Sequence, residues 1–241
     1  KTVYLGFTTS YNIYRPVMIR GNVRRVLGYN GCIHGDPADF NNGGIPMIRF
    51  QNPQACTVEF LRWRHYPQRP TSRVETNDPL FLKSAGRNSP GGKILNSSAA
   101  TGGKLFIEDY MYPVHLDHAM NLWIRHWNTE SNPYPGQVGL KYLINNGGNA
   151  WILGQKCEAV AYHAVTTGGG KTEILGGFFR DHINHEDMPY FDTDNSSISA
   201  TYFVYSYDCC HNRAWHAREK RGSTTRNYNP GKGTYAVSLY A

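Results

Sequence analysis

No Cys-x-x-Cys pair occurs in this chain, so the usual ligand spacing of a structural zinc site is missing. Cysteine itself is scarce, at Cys32, Cys56, Cys157, Cys209 and Cys210, and an odd count rules out complete pairing within the chain. No apolar run reaches the ~18–20 residues that a membrane-crossing helix needs. Charged residues are few, at 18%, and with aromatics at 13% this argues against disorder. There is no internal repeat of fixed period and no low-complexity tract. Helical patterning is nearly lacking. Only His115–Trp127 is ambiguous, since Leu116, Met120 and Trp123 fit a helical face while Met120, Leu122 and Ile124 alternate as a strand.

What is abundant is turn and strand material. Glycine (25), tyrosine (17) and asparagine punctuate short apolar segments. Aromatic residues favour pleated surfaces, whereas Gly, Asn and Pro favour turns. Strands are expected near Thr2–Thr9, Ile13–Arg20, Ile45–Phe50, Cys56–Trp63 and Leu105–Tyr110. Val138–Ile144 and Ala150–Leu153, joined by Asn-Asn-Gly-Gly, read as a hairpin. So do Glu158–Val165 and Thr172–Phe179. Ile198–Tyr207 is the longest clear strand. Leu82–Gly103 reads as a long loop. A length of 241 residues suits one large β domain. The spacing of strands and turns predicts an all-β antiparallel sandwich or jelly roll over residues 1–241, with at most one or two short helices.

The formal net charge is +7, spread along the chain. Arg62, Arg64, His65, Arg69 and Arg73 surround Trp63 and Tyr66. Basic residues interleaved with aromatics can hold nucleic acid, but this run is short and reads better as a solvated strand end.

The densest chemistry lies between Phe179 and Arg221. Asp181-His182 and Cys210-His211-Asn212-Arg213 resemble pieces of the His-Asn-His nuclease family. That resemblance implies His182 as general base, with Asp181 and His211 as metal ligands. The family's asparagine spacing and its paired Cys-x-x-Cys knuckles are not reproduced. His182, His185, His211 and His216, with Cys209 or Cys210, are alternative zinc ligands. Asp192-Thr-Asp194-Asn195 is a weaker calcium pattern, lacking the later bidentate glutamate. The third reading is a metal-free recognition surface, needing no cofactor. Sugars need an aromatic face and a few polar groups. Trp215, Arg218, Asp181, Glu186 and Asp187 supply those types, and Trp127 with Asn128 or Trp63 with Arg64 are alternatives.

The closing run Pro230-Gly231-Lys232-Gly233-Thr234-Tyr235-Ala236-Val237-Ser238-Leu239 resembles the last strand of the receptor-binding domain of bacterial fimbrial tip adhesins. That resemblance implies an exported lectin domain at the cell surface that binds a host glycan or glycoprotein, with a pilin domain or other subunits as further partners. It carries no binding residues over. The exported reading motivates disulfides between Cys32 and Cys56 and between Cys157 and Cys209 or Cys210. No motif is complete enough to name a catalytic residue, so the chain reads as a binding module. A viral capsid or spike jelly roll and a metal-dependent nuclease are the alternatives.

Overall fold

The computed structural model is a parallel β-solenoid. It describes residues 1–241 apart from 8–9, 37, 65–68, 86–91, 130–138, 159–160, 182–187, 207–212, 214, 230–234 and 241. The first sheet stacks Thr2–Tyr4, Arg25–Leu27, Cys56–Glu59, Leu80–Lys83, Lys104–Tyr110, Asn121–Asn128, Asn149–Cys157, Lys171–Asp181 and Ser197–Ser206, in that order. The second stacks Val17–Arg20, Ile48–Gln51, Arg69–Val74, Gly92–Asn96, Val114–Leu116, Leu140–Asn146, Ala161–Thr167, Phe191–Asp194 and Ala217–Arg221. A short third sheet, Tyr11–Ile13, Cys32–Gly35 and Arg62–Arg64, fills the corner of the early coils. The chain thus winds from the first sheet to the second and back, one strand per sheet per coil.

The expectation of an antiparallel sandwich or jelly roll is overturned by the register. Among the described residues every coil-to-coil pairing is parallel. Only the two closing strands, Tyr235–Tyr240 on the first sheet and Thr224–Tyr228 on the second, pair antiparallel. Period-two patterning reports one buried face per strand, and a solenoid strand has that as much as a sandwich strand does. The two segments read as hairpins show where the inference failed. Leu140–Asn146 pairs with Ala161–Thr167, and Asn149–Cys157 pairs with Lys171–Asp181, so the Asn-Asn-Gly-Gly turn hands the chain to the other sheet. The buried Asn145 amide fixes that turn. Its Nδ2 donates to the carbonyls of Gly148 (3.1 Å) and Lys171 (3.0 Å), and its Oδ1 accepts from the Gly148 N–H (3.0 Å). A Cβ on Gly148 would lie 2.2 Å from the Met120 carbonyl oxygen, so only glycine fits there.

The expected loop Leu82–Gly103 also contains order. Gly92–Asn96 pairs with strands on both sides, which satisfies its backbone groups. The ambiguous His115–Trp127 resolves as two strands, with Leu116, Leu122 and Ile124 buried.

The core fills the lumen. On the first sheet Val58, Leu82, Ile107, Ile124, Ile152 and Ile174 point inward in successive coils. On the second, Ile48, Ile94, Val114, Leu143 and Phe191 are buried in register, with the buried Ser72 and Ala164 in the intervening coils. Each buried Val, Leu, Ile or Phe contributes roughly 1.5–3 kcal/mol. Toward the later coils the lumen becomes aromatic: Tyr142, His163 and Tyr190 stack, with centroids 6.5 and 4.9 Å apart.

Candidate functional site

Alternation along the strands of the first sheet sends every second side chain outward, and parallel register places outward residues in files along the solenoid axis. One file reads Thr57, Phe81, Phe106, Trp123, Trp151, Glu173, Ser199. Its four aromatic rings stack with centroids 4.6, 4.6 and 4.9 Å apart and planes within 8–11° of parallel. The spacing is that of neighbouring strands, so the backbone itself sets the stack.

The adjacent file reads Glu59, Lys83, Glu108, Arg125, Leu153, Leu175. Charge alternates along its first four members. Arg25 and Lys83 lie 2.5 and 3.8 Å from the Glu59 carboxylate, and Arg125 pairs with Glu108. Leu153 and Leu175 then leave exposed apolar surface, 54% and 47% accessible.

Beyond this second file the backbone bends at one point in six successive coils. Phe60, Ser84, Asp109, His126, Gly154 and Gly176 all have positive φ, between 46° and 76°. At the bend the Ser84 hydroxyl donates to Asp109 Oδ2, and His126 Nδ1 lies against Asp109 Oδ1, each at 3.2 Å. The aspartate sits between serine and histidine, so the histidine cannot take the serine's proton, and the three do not form a nucleophile and its base.

The files enclose two contiguous depressions. The first, of about 400 Å³, runs over Phe81, Phe106, Trp123, Trp151, Leu153 and Leu175, with Lys83, Glu108, Arg125 and Glu173 at its margin. The second, of about 550 Å³, begins at Trp151 and Glu173 and is otherwise mostly polar: Asn149, Lys171, Ser197, Ser199, Glu219, Arg226 and Tyr228. Glu219 accepts from the Tyr228 hydroxyl at 2.7 Å and from Arg221 Nε at 2.8 Å, and these bonds hold its carboxyl below the usual range. Inside the stack each ring covers the face of the next. Phe81 and Trp151 are the two end rings, each with a single ring neighbour, and Trp151 is the one that borders the second depression. Its outer face looks along the file toward Glu173 and Ser199, and it is 38% exposed.

The residues singled out in the sequence fall elsewhere. Trp215 lies in the segment before Ala217–Arg221, half-buried, with its indole N–H buried and without an acceptor among the described residues. Arg218 is on the outside of the second sheet, held by Asp192 Oδ1 at 3.0 Å, and this pairing raises its pKa. Asp181 ends the strand Lys171–Asp181. Glu186, Asp187, His182, His185, Cys209, Cys210 and His211 lie outside the described residues, and the nuclease and zinc readings lie there with them. His216 is buried and bonded to the Tyr202 hydroxyl at 2.8 Å. Asp192 and Asp194, the calcium candidates, are paired with Arg218 and Lys220. Among the described residues no group of three or more His, Cys, Asp or Glu side chains is placed to hold a metal ion. Trp63 and Trp127 are core residues. Cys56 is a free buried thiol on the first sheet, so the Cys32–Cys56 bridge is not formed. Cys157 Sγ lies 3.8 Å from the Thr129 carbonyl, and both of its expected partners, Cys209 and Cys210, fall outside the described residues.

Sequence reading missed the aromatic file because Phe81, Phe106, Trp123 and Trp151 are separated by 25, 17 and 28 positions. The available signal was one outward aromatic two residues before an outward Lys, Glu, Arg or Leu, repeated in four strands. No family model matches the chain, and neither does any curated protein or solved structure.

Proposed function

We propose that the outer face of the first sheet binds an oligosaccharide, with one sugar ring on the free face of Trp151 and the chain extending along the solenoid axis. The observation that carries this reading is the position of Trp151. It is the one ring of the stack that both depressions share, apolar on one side and bordered by hydroxyl, amide and charged groups on the other. A pyranose has the matching character, with C–H groups on its faces and hydroxyls around its rim. Glu173, Asn149, Lys171, Ser199, Arg226 and Tyr228 supply both donors and acceptors for that rim. From Phe81 to Ser199 the file crosses five strand spacings, about 24 Å, which suits an oligosaccharide better than a monosaccharide.

This keeps the glycan-binding part of the adhesin resemblance and moves it from Trp215 to Trp151, on a solenoid in place of a lectin sandwich. In this reading the protein works at a cell surface or outside the cell, where such glycans lie. A panel of immobilised glycans tests it. Binding is expected for some member of the panel, weakened at least about fivefold by Trp151→Ala with the β spectrum intact. Binding that Trp151→Ala leaves unchanged would refute the site.

A further inference from the structure

Resting on that reading, we infer that the groove selects a neutral glycan over a uronic or sulfated one, although the chain as a whole is basic. The formal charge of +7 would suggest an anionic polymer, but the cations beside the aromatic stack, Lys83 and Arg125, are already paired with carboxylates. Lys83 and Arg25 share Glu59, and Arg125 pairs with Glu108. In the second depression Arg226 lies opposite Glu219 across the closing antiparallel pair, and Lys171 stands two residues from Glu173 on the same outward face. Among the residues lining the two depressions, Lys83, Arg125, Lys171 and Arg226 stand against Glu108, Glu173 and Glu219, so cations and carboxylates are in near balance. An anionic sugar on the aromatic stack would have to displace a protein carboxylate from Lys83 or Arg125, and it would meet Glu108 and Glu173, which line the depression, as like charges. A neutral sugar meets neither cost. Its hydroxyls can donate to the carboxylates and accept from the cations, using lone pairs and N–H groups that the ion pairs leave over.

The same geometry makes a sharper claim. Lys83 and Arg125 are each held from an anionic ligand by one carboxylate, so neutralising that carboxylate should change the ligand class. Glu108→Gln frees Arg125, and Glu59→Gln frees Lys83 and Arg25.

The test is a binding titration of the full chain with three polysaccharide classes: uncharged, polyuronate and sulfated. Each is measured at low ionic strength and near 1 M salt, where the Debye length is about 3 Å. The expected result is that the wild type binds an uncharged polymer with affinity changing less than about twofold across that range, since no ion pair forms with the ligand. It should bind the anionic polymers at least about tenfold more weakly, and the Glu59→Gln, Glu108→Gln double variant should gain salt-sensitive binding to them. Tight, steeply salt-dependent binding of a polyanion by the wild type would overturn the inference, and if Trp151→Ala still weakened it the glycan site itself would stand. Failure of every polysaccharide to bind would overturn the glycan reading and the inference with it.

Discussion

Trp123 and Trp151 stack with centroids 4.9 Å apart and planes 11° from parallel, although 28 residues separate them in the chain. The contact exists because Asn121–Asn128 and Asn149–Cys157 pair in parallel register, one coil apart. A stack built this way has a middle and two ends, and the difference can be measured. Trp123 has a ring on each face, whereas Phe81 has one neighbour, Phe106. Aromatic pairs contribute about 0.5–1.5 kcal/mol each beyond their buried area. Trp123→Ala should therefore destabilise the fold by about 1–3 kcal/mol through stacking alone, and Phe81→Ala by about half of that. Urea unfolding of the two variants checks this, and equal losses would contradict a stack that acts pairwise.

The column of positive φ predicts an asymmetry between glycine and other residues. Gly176 has φ of 76° and nothing within 4 Å of an added Cβ, so the cost of Gly176→Ala is backbone strain without a clash. It should be about 1–2 kcal/mol. His126, at φ 56° in an equivalent place, should tolerate glycine with little loss, because relief of the same strain offsets the added chain entropy. Thermal unfolding of the two single variants decides it.

Acid should weaken the fold through two histidines. Burial, with the nearby charges of Arg213 and His216, holds His163 well below its usual 6.5, and neither ring nitrogen has a hydrogen-bond partner among the described residues. Burial also lowers His115 to about 4, against the hydrogen bond that its ring makes with the Lys141 carbonyl. Both groups are neutral in the folded and unfolded chain above the unfolded value near 6.5, so their stability is complete there. As pH falls below it, the unfolded chain takes up protons that the folded one refuses. Stability should drop by roughly 1.4 kcal/mol per pH unit for each histidine, down to the folded pKa. His163→Phe keeps the stack with Phe179, whose ring centroid is 4.0 Å away, and removes one titration. Its stability should fall less steeply between about pH 6.5 and 4 than the wild type's. An unchanged slope would exclude His163 as a source.

Cys56 offers a probe of lumen integrity. Its thiol is 2% exposed, and burial raises its pKa to about 11. It should resist alkylation at mildly alkaline pH in the folded protein and react at once in denaturant. Mass mapping of the modified peptide reads this directly, and ready labelling of the native chain would contradict the packed lumen.

Much of the local structure was legible in the sequence, and the way it is assembled was not. Ile198–Tyr207 read as a strand, and the segment is one, Ser197–Ser206, with Ile198, Ala200, Tyr202 and Val204 buried. The all-β character was equally plain. What failed was pairing. Asn-Asn-Gly-Gly at 145–148 has the composition of a hairpin turn, and nothing local distinguishes a turn that reverses the chain from one that passes it to a second sheet. The solenoid left no fixed repeat either: Leu105 lies beside Leu122, 17 residues on, while Arg25 lies beside Thr57, 32 residues on. The candidate site suffered most, because a file of side chains along the solenoid axis exists only once the register is known. Trp215 drew attention by its charged neighbours in sequence, whereas Trp151 draws it by its neighbours in space.

The most direct measurement is a titration, followed by calorimetry, of an uncharged oligosaccharide into the wild type, Trp151→Ala and Trp215→Ala. Stacking of a sugar on an indole should be worth roughly 1–3 kcal/mol, by analogy with bases on aromatic side chains. Trp151→Ala should thus weaken binding by about 5- to 150-fold, and Trp215→Ala should leave it within about twofold of the wild type. Loss of binding with Trp215→Ala and its retention with Trp151→Ala would contradict the assignment of the groove.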